Sequence, residues 1–136
     1  MVFLNKNKVV YYTMTNVDVR AWAEHIYEAL GPGYNECVYH KAMEVLLRKQ
    51  GVQYESERIV PIVFKGHTIG NVRSDIIVNG ELVLEFKSVR VLTDAAALQT
   101  HNYLRLTGLS LGYLINFGHQ RLEVVKIEAS SETPSP

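Results

Sequence analysis

Asn79-Gly80 stands between two apolar, β-branched runs, residues 73–78 and 81–88, and an Asn-Gly pair flanked in this way is the strongest short-range hairpin signal. The hairpin carries Asp75, Glu85 and Lys87 among residues that are otherwise apolar, so its register decides which side chains meet. A two-residue loop sets Asp75 opposite Leu84, mixes Arg73, Asp75 and Ile77 with Leu82, Leu84 and Phe86 on one face, and turns Glu85 to the other. That wastes the apolar pattern. A three-residue loop, Val78-Asn79-Gly80 with a left-handed Gly80, pairs Ile77 with Glu81 and Arg73 with Glu85. One face is then Val72, Ser74, Ile76, Val78, Leu82, Leu84 and Phe86, and the other carries Arg73, Asp75, Glu85 and Lys87. Apolar patterning selects this register, in which Asp75 and Glu85 are diagonal neighbours about 7–8 Å apart at Cα.

Two carboxylates at that spacing can share one hard divalent cation. Lys87, two residues on and on the same side, adds an ammonium that can hold a water or balance a phosphate. The same residues also read as a solvent-facing ladder of ion pairs, and the hairpin alone does not choose between the two.

The rest of the chain surrounds this hairpin with helices. From Asn16 as N-cap, apolar residues at Val19, Trp22, Ala23, Ile26, Tyr27 and Leu30 recur at helical spacing until Gly31-Pro32-Gly33. A second helix is expected over residues 35–50, with Arg48 and Lys49 in its last turn and Gly51 as the C′ residue. Strands follow over 53–64, 68–78 and 81–88, the first two joined by a Lys65-Gly66 turn, giving a three-stranded meander. Thr93 or Asp94 caps a helix over 94–107 that Gly108 stops, and strands at 111–117 and 122–127 complete an order of ααβββαββ. With 136 residues this is one mixed α/β domain over 16–128. Residues 1–15 form an N-terminal extension with a strand at 9–14 after a polar turn, and residues 129–136 a disordered tail rich in Ser and Pro.

Charge bounds the partners. Fourteen Lys+Arg against fourteen Asp+Glu give no net charge, so a nucleic-acid site has to be a local patch. Arg73, Lys87 and Arg90 near the hairpin, Arg105 on the late helix and Lys41 on the second supply one, and dimerisation would double it. The single Cys37 excludes an internal disulfide, and its i,i+3 neighbour His40 lacks a third residue to make a nucleophile or metal site. Neither a secretory leader nor a membrane span is legible, which leads us to expect a soluble intracellular protein, cytoplasmic or nuclear. Gly108, Gly112 and Gly118 lack phosphate-loop spacing.

Two further segments join the hairpin: Glu36 in the first turn of the second helix, and Gln99 with Tyr103 one turn apart on the third. Gly33-x-x-Glu36-x-x-Tyr39, Arg73-x-Asp75, Glu85-x-Lys87 and Gln99-x-x-x-Tyr103, in this order, resemble the GxxExxY proteins of the PD-(D/E)XK nuclease superfamily. The Gln-x-x-x-Tyr helix is similar to that of RecB-like nucleases. This resemblance, which runs from about Val19 to Ile127, implies a restriction-endonuclease-like mixed sheet flanked by helices and a Mg²⁺- or Mn²⁺-dependent phosphodiester hydrolase acting on nucleic acid, DNA foremost. It implies Asp75 and Glu85 as metal ligands with Glu36 completing or supporting the site, and Lys87 acting on the water. Gln99 and Tyr103 would position the water, the lysine or the DNA backbone, while Arg73, Arg90 and Arg105 would meet substrate. The chain departs from the family pattern at Tyr27 and Ala96, where members carry histidines, which keeps a noncatalytic nucleic-acid or protein-binding module as the alternative.

Overall fold

In the computed structural model residues 18–130 are described in full, and residues 2–5 and 8–11 as strand backbone. β1 (Val2–Asn5) and β2 (Lys8–Tyr11) pair with each other as an antiparallel hairpin, so the expected strand from Val9 is present as far as Tyr11; residues 12–14 lie outside the described ones.

α1 (Val19–Leu30) starts where the Asp18 carboxylate accepts the Ala21 N–H at 3.0 Å, two residues after the expected cap Asn16, which lies outside the described residues. α2 (Glu36–Lys49) buries Tyr39, Met43 and Leu47 along one stripe. The Tyr39 hydroxyl donates to the Gly31 carbonyl at 2.7 Å and accepts the Tyr34 N–H at 3.3 Å. This one side chain closes the loop between the helices and fixes where α2 begins.

The sheet contains β3 (Tyr54–Ser56), β6 (Ile76–Val78), β7 (Leu82–Lys87), β8 (Leu111–Phe117) and β9 (Leu122–Glu128), in the order β3-β6-β7-β8-β9. Only β7 and β8 run parallel, and α3 (Asp94–Thr107), capped by Thr93 and stopped by a left-handed Gly108, is the crossover between them. α1 and α2 pack on the face that carries Ile76, Val78, Leu82, Leu84, Phe86, Ile115 and Phe117. On the other face α3 meets Ile77, Val83, Leu114 and Ile127 through Tyr103 and Leu104. Among the described residues no helix is long and apolar enough to cross a membrane.

The expected three-stranded meander is corrected at two points. The strand expected over 53–64 divides into β3 and β4 (Ile59–Phe64), and that over 68–78 into β5 (His67–Arg73) and β6. Both breaks fall at one level, where Glu57 takes a positive φ of 58°. The Glu57 N–H donates to the Asp75 carbonyl at 2.8 Å and the Ser74 N–H to the Arg58 carbonyl at 3.1 Å, so pairing passes across the kink. Beyond it β4 and β5 form a separate two-stranded ribbon whose inward Val60 and Val72 pack on the α3 side. At the other end of the chain, Ala129 stays packed on the fold and its N–H donates to the Ser110 carbonyl at 2.9 Å; residues 131–136 of the expected tail lie outside the described ones.

Candidate active site

Asn79 and Gly80 both take positive φ, 52° and 68°, and the Glu81 N–H closes the turn on the Val78 carbonyl at 3.0 Å. Val78 then faces Leu82 and Ile76 faces Leu84. The three-residue loop is therefore Asn79-Gly80-Glu81, not Val78-Asn79-Gly80, and the register is displaced by two residues from the expected one. A displacement of two preserves which face each side chain points to. It changes the opposition: the next step after Ile76 and Leu84 places Asp75 directly across from Glu85 instead of diagonally, and Arg73 faces Ile59 on the ribbon instead of Glu85.

The two carboxylates take up each other's strand. At the bend of Ser74-Asp75 the backbone leaves the β6–β7 ladder, and Asp75 Oδ2 accepts the Phe86 N–H at 2.8 Å while Glu85 Oε1 accepts the Asp75 N–H at 3.3 Å. Asp75 is half-buried, and Glu85 is only 7% exposed. Burial, then the charge of Asp75 and the hydrogen bond between the two carboxyls, push Glu85 from 4.5 up to about 9; the Asp75 N–H and Lys87 offset this in part. Without a cation Glu85 thus keeps its proton at neutral pH. Lys87, half-buried, follows on the same side of β7, since Phe86 between them points into the opposite core.

The segment after Lys87 is held by a residue that sequence reasoning did not single out. Asn116, fully buried opposite Lys87, accepts the Val89 N–H through Oδ1 and donates to the Val89 carbonyl through Nδ2, both at 2.9 Å; Nδ2 also donates to Glu123 Oε1 at 3.1 Å. An amide in the otherwise apolar run 111–117 was the available signal. Gly118 completes the hold, because a Cβ there would lie 3.1 Å from the Val89 and Arg121 carbonyls.

Glu36 comes to the same end of β7 from the other face. Ser88 Oγ donates to the Tyr34 carbonyl at 2.6 Å, and Asn35, Glu36, Cys37 and Ser88 line one cleft of about 400 Å³. Glu36 is exposed there and does not complete a three-ligand cluster with Asp75 and Glu85; among the described residues no three His, Cys, Asp or Glu side chains converge on a metal position. The physical reason is the layer: α2 packs against Phe86, whereas the carboxylates lie on the α3 side.

On α3, Tyr103 is buried beside Ile77 and Val83, next along the strands from the carboxylates, and its hydroxyl has no hydrogen-bond partner among the described residues. Gln99 is exposed one turn nearer the start of the helix. Arg90 is exposed on the segment between β7 and α3. Arg105 is exposed in the last turn of α3 and donates to Asn102 Oδ1 at 3.2 Å. Of the two departure positions, Tyr27 donates its hydroxyl to the Gly118 carbonyl and Ala96 packs against the α3-side core.

Comparisons with known proteins bear on the fold and the family. No curated protein matches the chain in sequence. The crystal structure of SSO0001 is similar in fold, with a TM-score of 0.56 at 21% identity over 72% of this chain. The matched region is 52% of that structure's chain, so the present chain spans about half its length. A family model for the PD-(D/E)XK nuclease superfamily matches residues 13–127, a span that contains both helical layers, the sheet and the carboxylate pair. The chain belongs to the PD-(D/E)XK nuclease superfamily.

Proposed function

We propose that this protein hydrolyses phosphodiester bonds in nucleic acid, DNA foremost, with Mg²⁺ or Mn²⁺ held by Asp75 and Glu85, and that within the superfamily it stands with the GxxExxY proteins on the motifs quoted above. The observation that carries this reading is the direct opposition of Asp75 and Glu85 with Lys87 on the same side of β7. Two carboxylates within hydrogen-bond reach of one another are poorly compatible as a pair of anions, and their all-oxygen donor set suits a hard cation. When bound, such a cation polarises a phosphate oxygen and makes water more acidic.

The chain's own residues do the rest. Asp75 and Glu85 are held in place by the Phe86 and Asp75 N–H groups, each of which engages a single carboxylate oxygen and leaves the other for a cation. The Lys87 ammonium donates to a phosphate oxygen or to the incoming water. Water adds to phosphorus as the bond to the leaving sugar oxygen breaks; its proton goes to solvent and the leaving oxygen takes one up. Glu36 orients water at the mouth of its cleft, Gln99 meets the strand, and Tyr103 holds α3 against Ile77 and Val83. Arg73 and Arg90 meet phosphates.

A second reading, a nucleic-acid-binding module without turnover, is favoured by Tyr27, whose hydroxyl is committed to the Gly118 carbonyl at a position where the GxxExxY resemblance implies a histidine. Cleavage of labelled single- and double-stranded DNA and RNA in Mg²⁺ or Mn²⁺, against EDTA, separates the two. Asp75→Ala and Lys87→Ala are expected to lose about 10²–10⁴-fold in rate. An Asp75→Ala protein as fast as the wild type contradicts the nuclease reading. Metal binding without cleavage of any substrate selects the module.

A further inference from the structure

The β4–β5 ribbon is built like a core hairpin yet stands outside the core. Its inward side chains Val60 and Val72 reach the α3-side cluster, but Ile59, Phe64 and Ile69 are 61%, 61% and 65% exposed. Alternation places Ile59, Pro61 and Val63 on the outward face, the first two opposite Arg73 and Asn71; a bulge at Ile62/Val63 leaves Ile69 unpaired, and Phe64, on the parity of Val60 and Ile62, is exposed at the tip. At the tip Lys65 lies 5.8 Å from the Phe64 ring centre, a cation resting on an exposed aromatic face.

Charge on this element has one sign. Residues 58–74 include Arg58, Lys65, Arg73 and His67 and no Asp or Glu, in a chain whose acids and bases balance only as a whole. Arg58 is near Glu55, outside the ribbon, while neither Lys65 nor Arg73 makes an ion pair among the described residues. The base of the ribbon is joined to the carboxylate pair itself, through the Ser74 N–H on the Arg58 carbonyl and the Glu57 N–H on the Asp75 carbonyl. From Arg73 to the turn at Gly66 the ribbon extends roughly 23 Å from that point.

We infer that the ribbon is the substrate arm of this site and that it takes single-stranded nucleic acid, with phosphates on Arg73 and Lys65 and unstacked bases against Ile69 and Phe64. The inference rests on the nucleic-acid reading above and narrows it to a strand form. A duplex turns its phosphates outward and keeps its bases stacked, so it offers nothing apolar to cover the exposed Ile69 and Phe64 side chains. A single strand offers both a charged backbone and apolar base faces, the combination that stacking platforms with neighbouring cations select.

Binding measured in EDTA tests this without any cleavage. A fluorescein-labelled oligothymidylate and a duplex of equal length are titrated with wild type, with Phe64→Ser/Ile69→Ser and with Lys65→Glu/Arg73→Glu. These positions are exposed, and unchanged thermal unfolding confirms the fold of each variant. The wild type is expected to prefer the single strand, and each double variant to weaken that binding about tenfold or more. Equal affinity for strand and duplex, or Phe64→Ser/Ile69→Ser binding as tightly as wild type, overturns the inference. So does a wild-type dimer that this variant dissociates while its nucleic-acid binding is unchanged, since the face then belongs to a second copy. A protein that binds through the ribbon but never cleaves fails the nuclease reading alone. One that cleaves while the variants bind normally fails the ribbon alone.

Discussion

Two hairpins in this molecule share one local design and have opposite fates. Lys65-Gly66 and Asn79-Gly80 each place two consecutive residues at positive φ, and each joins strands rich in Ile and Val. β6 and β7 lie between both helical layers, with Ile77 and Val83 fully buried on one side and Ile76 and Leu84 on the other. β4 and β5 have a core on one side only. Turn chemistry thus makes a hairpin, and the layers around it decide whether its charged residues become a buried, pre-oriented pair or a solvated arm.

The contrast can be broken by truncation. Ile77→Ala removes a side chain packed against Tyr103 and Leu104 and is expected to cost about 2–5 kcal/mol in chemical denaturation, whereas Ile69→Ala on the ribbon costs less than about 0.5 kcal/mol. Comparable losses at the two positions would mean that the ribbon is as much core as the central hairpin.

Titration sharpens it. Glu85 is raised in the folded protein from 4.5 to about 9, so its protonated form favours the fold fully below pH 4.5, and that contribution is lost as pH rises towards 9. Glu85→Gln keeps the acceptor for the Asp75 N–H and imitates the protonated acid. In EDTA it is expected to be more stable than wild type by about 2 kcal/mol at neutral pH, with the advantage vanishing in acid. Thermal unfolding across pH reads this directly; parallel curves for the two proteins would show that burial does not hold the proton on Glu85.

Much of this difference was legible in the residues, and the illegible part has identifiable causes. Alternation around Asn79-Gly80 separates Ile76, Leu84 and Phe86 from Asp75, Glu85 and Lys87, because burial on both sides makes parity costly to violate. Register is a finer matter: Glu81 enters the loop, and nothing in its chemistry announces this. The kink that frees the ribbon depends on a glutamate, Glu57, at positive φ, a conformation for which Glu carries no preference. α3 was readable end to end because Thr93 and Gly108 are strong boundary residues.

Asp75 and Glu85, on facing strands, are proposed to form one cation site. Calorimetric titration of the wild type and of Asp75→Ala with Mn²⁺ tests it most directly. One Mn²⁺ site is expected in the wild type and none in a folded Asp75→Ala; equal Mn²⁺ binding by both proteins, or none by the wild type, contradicts a shared site.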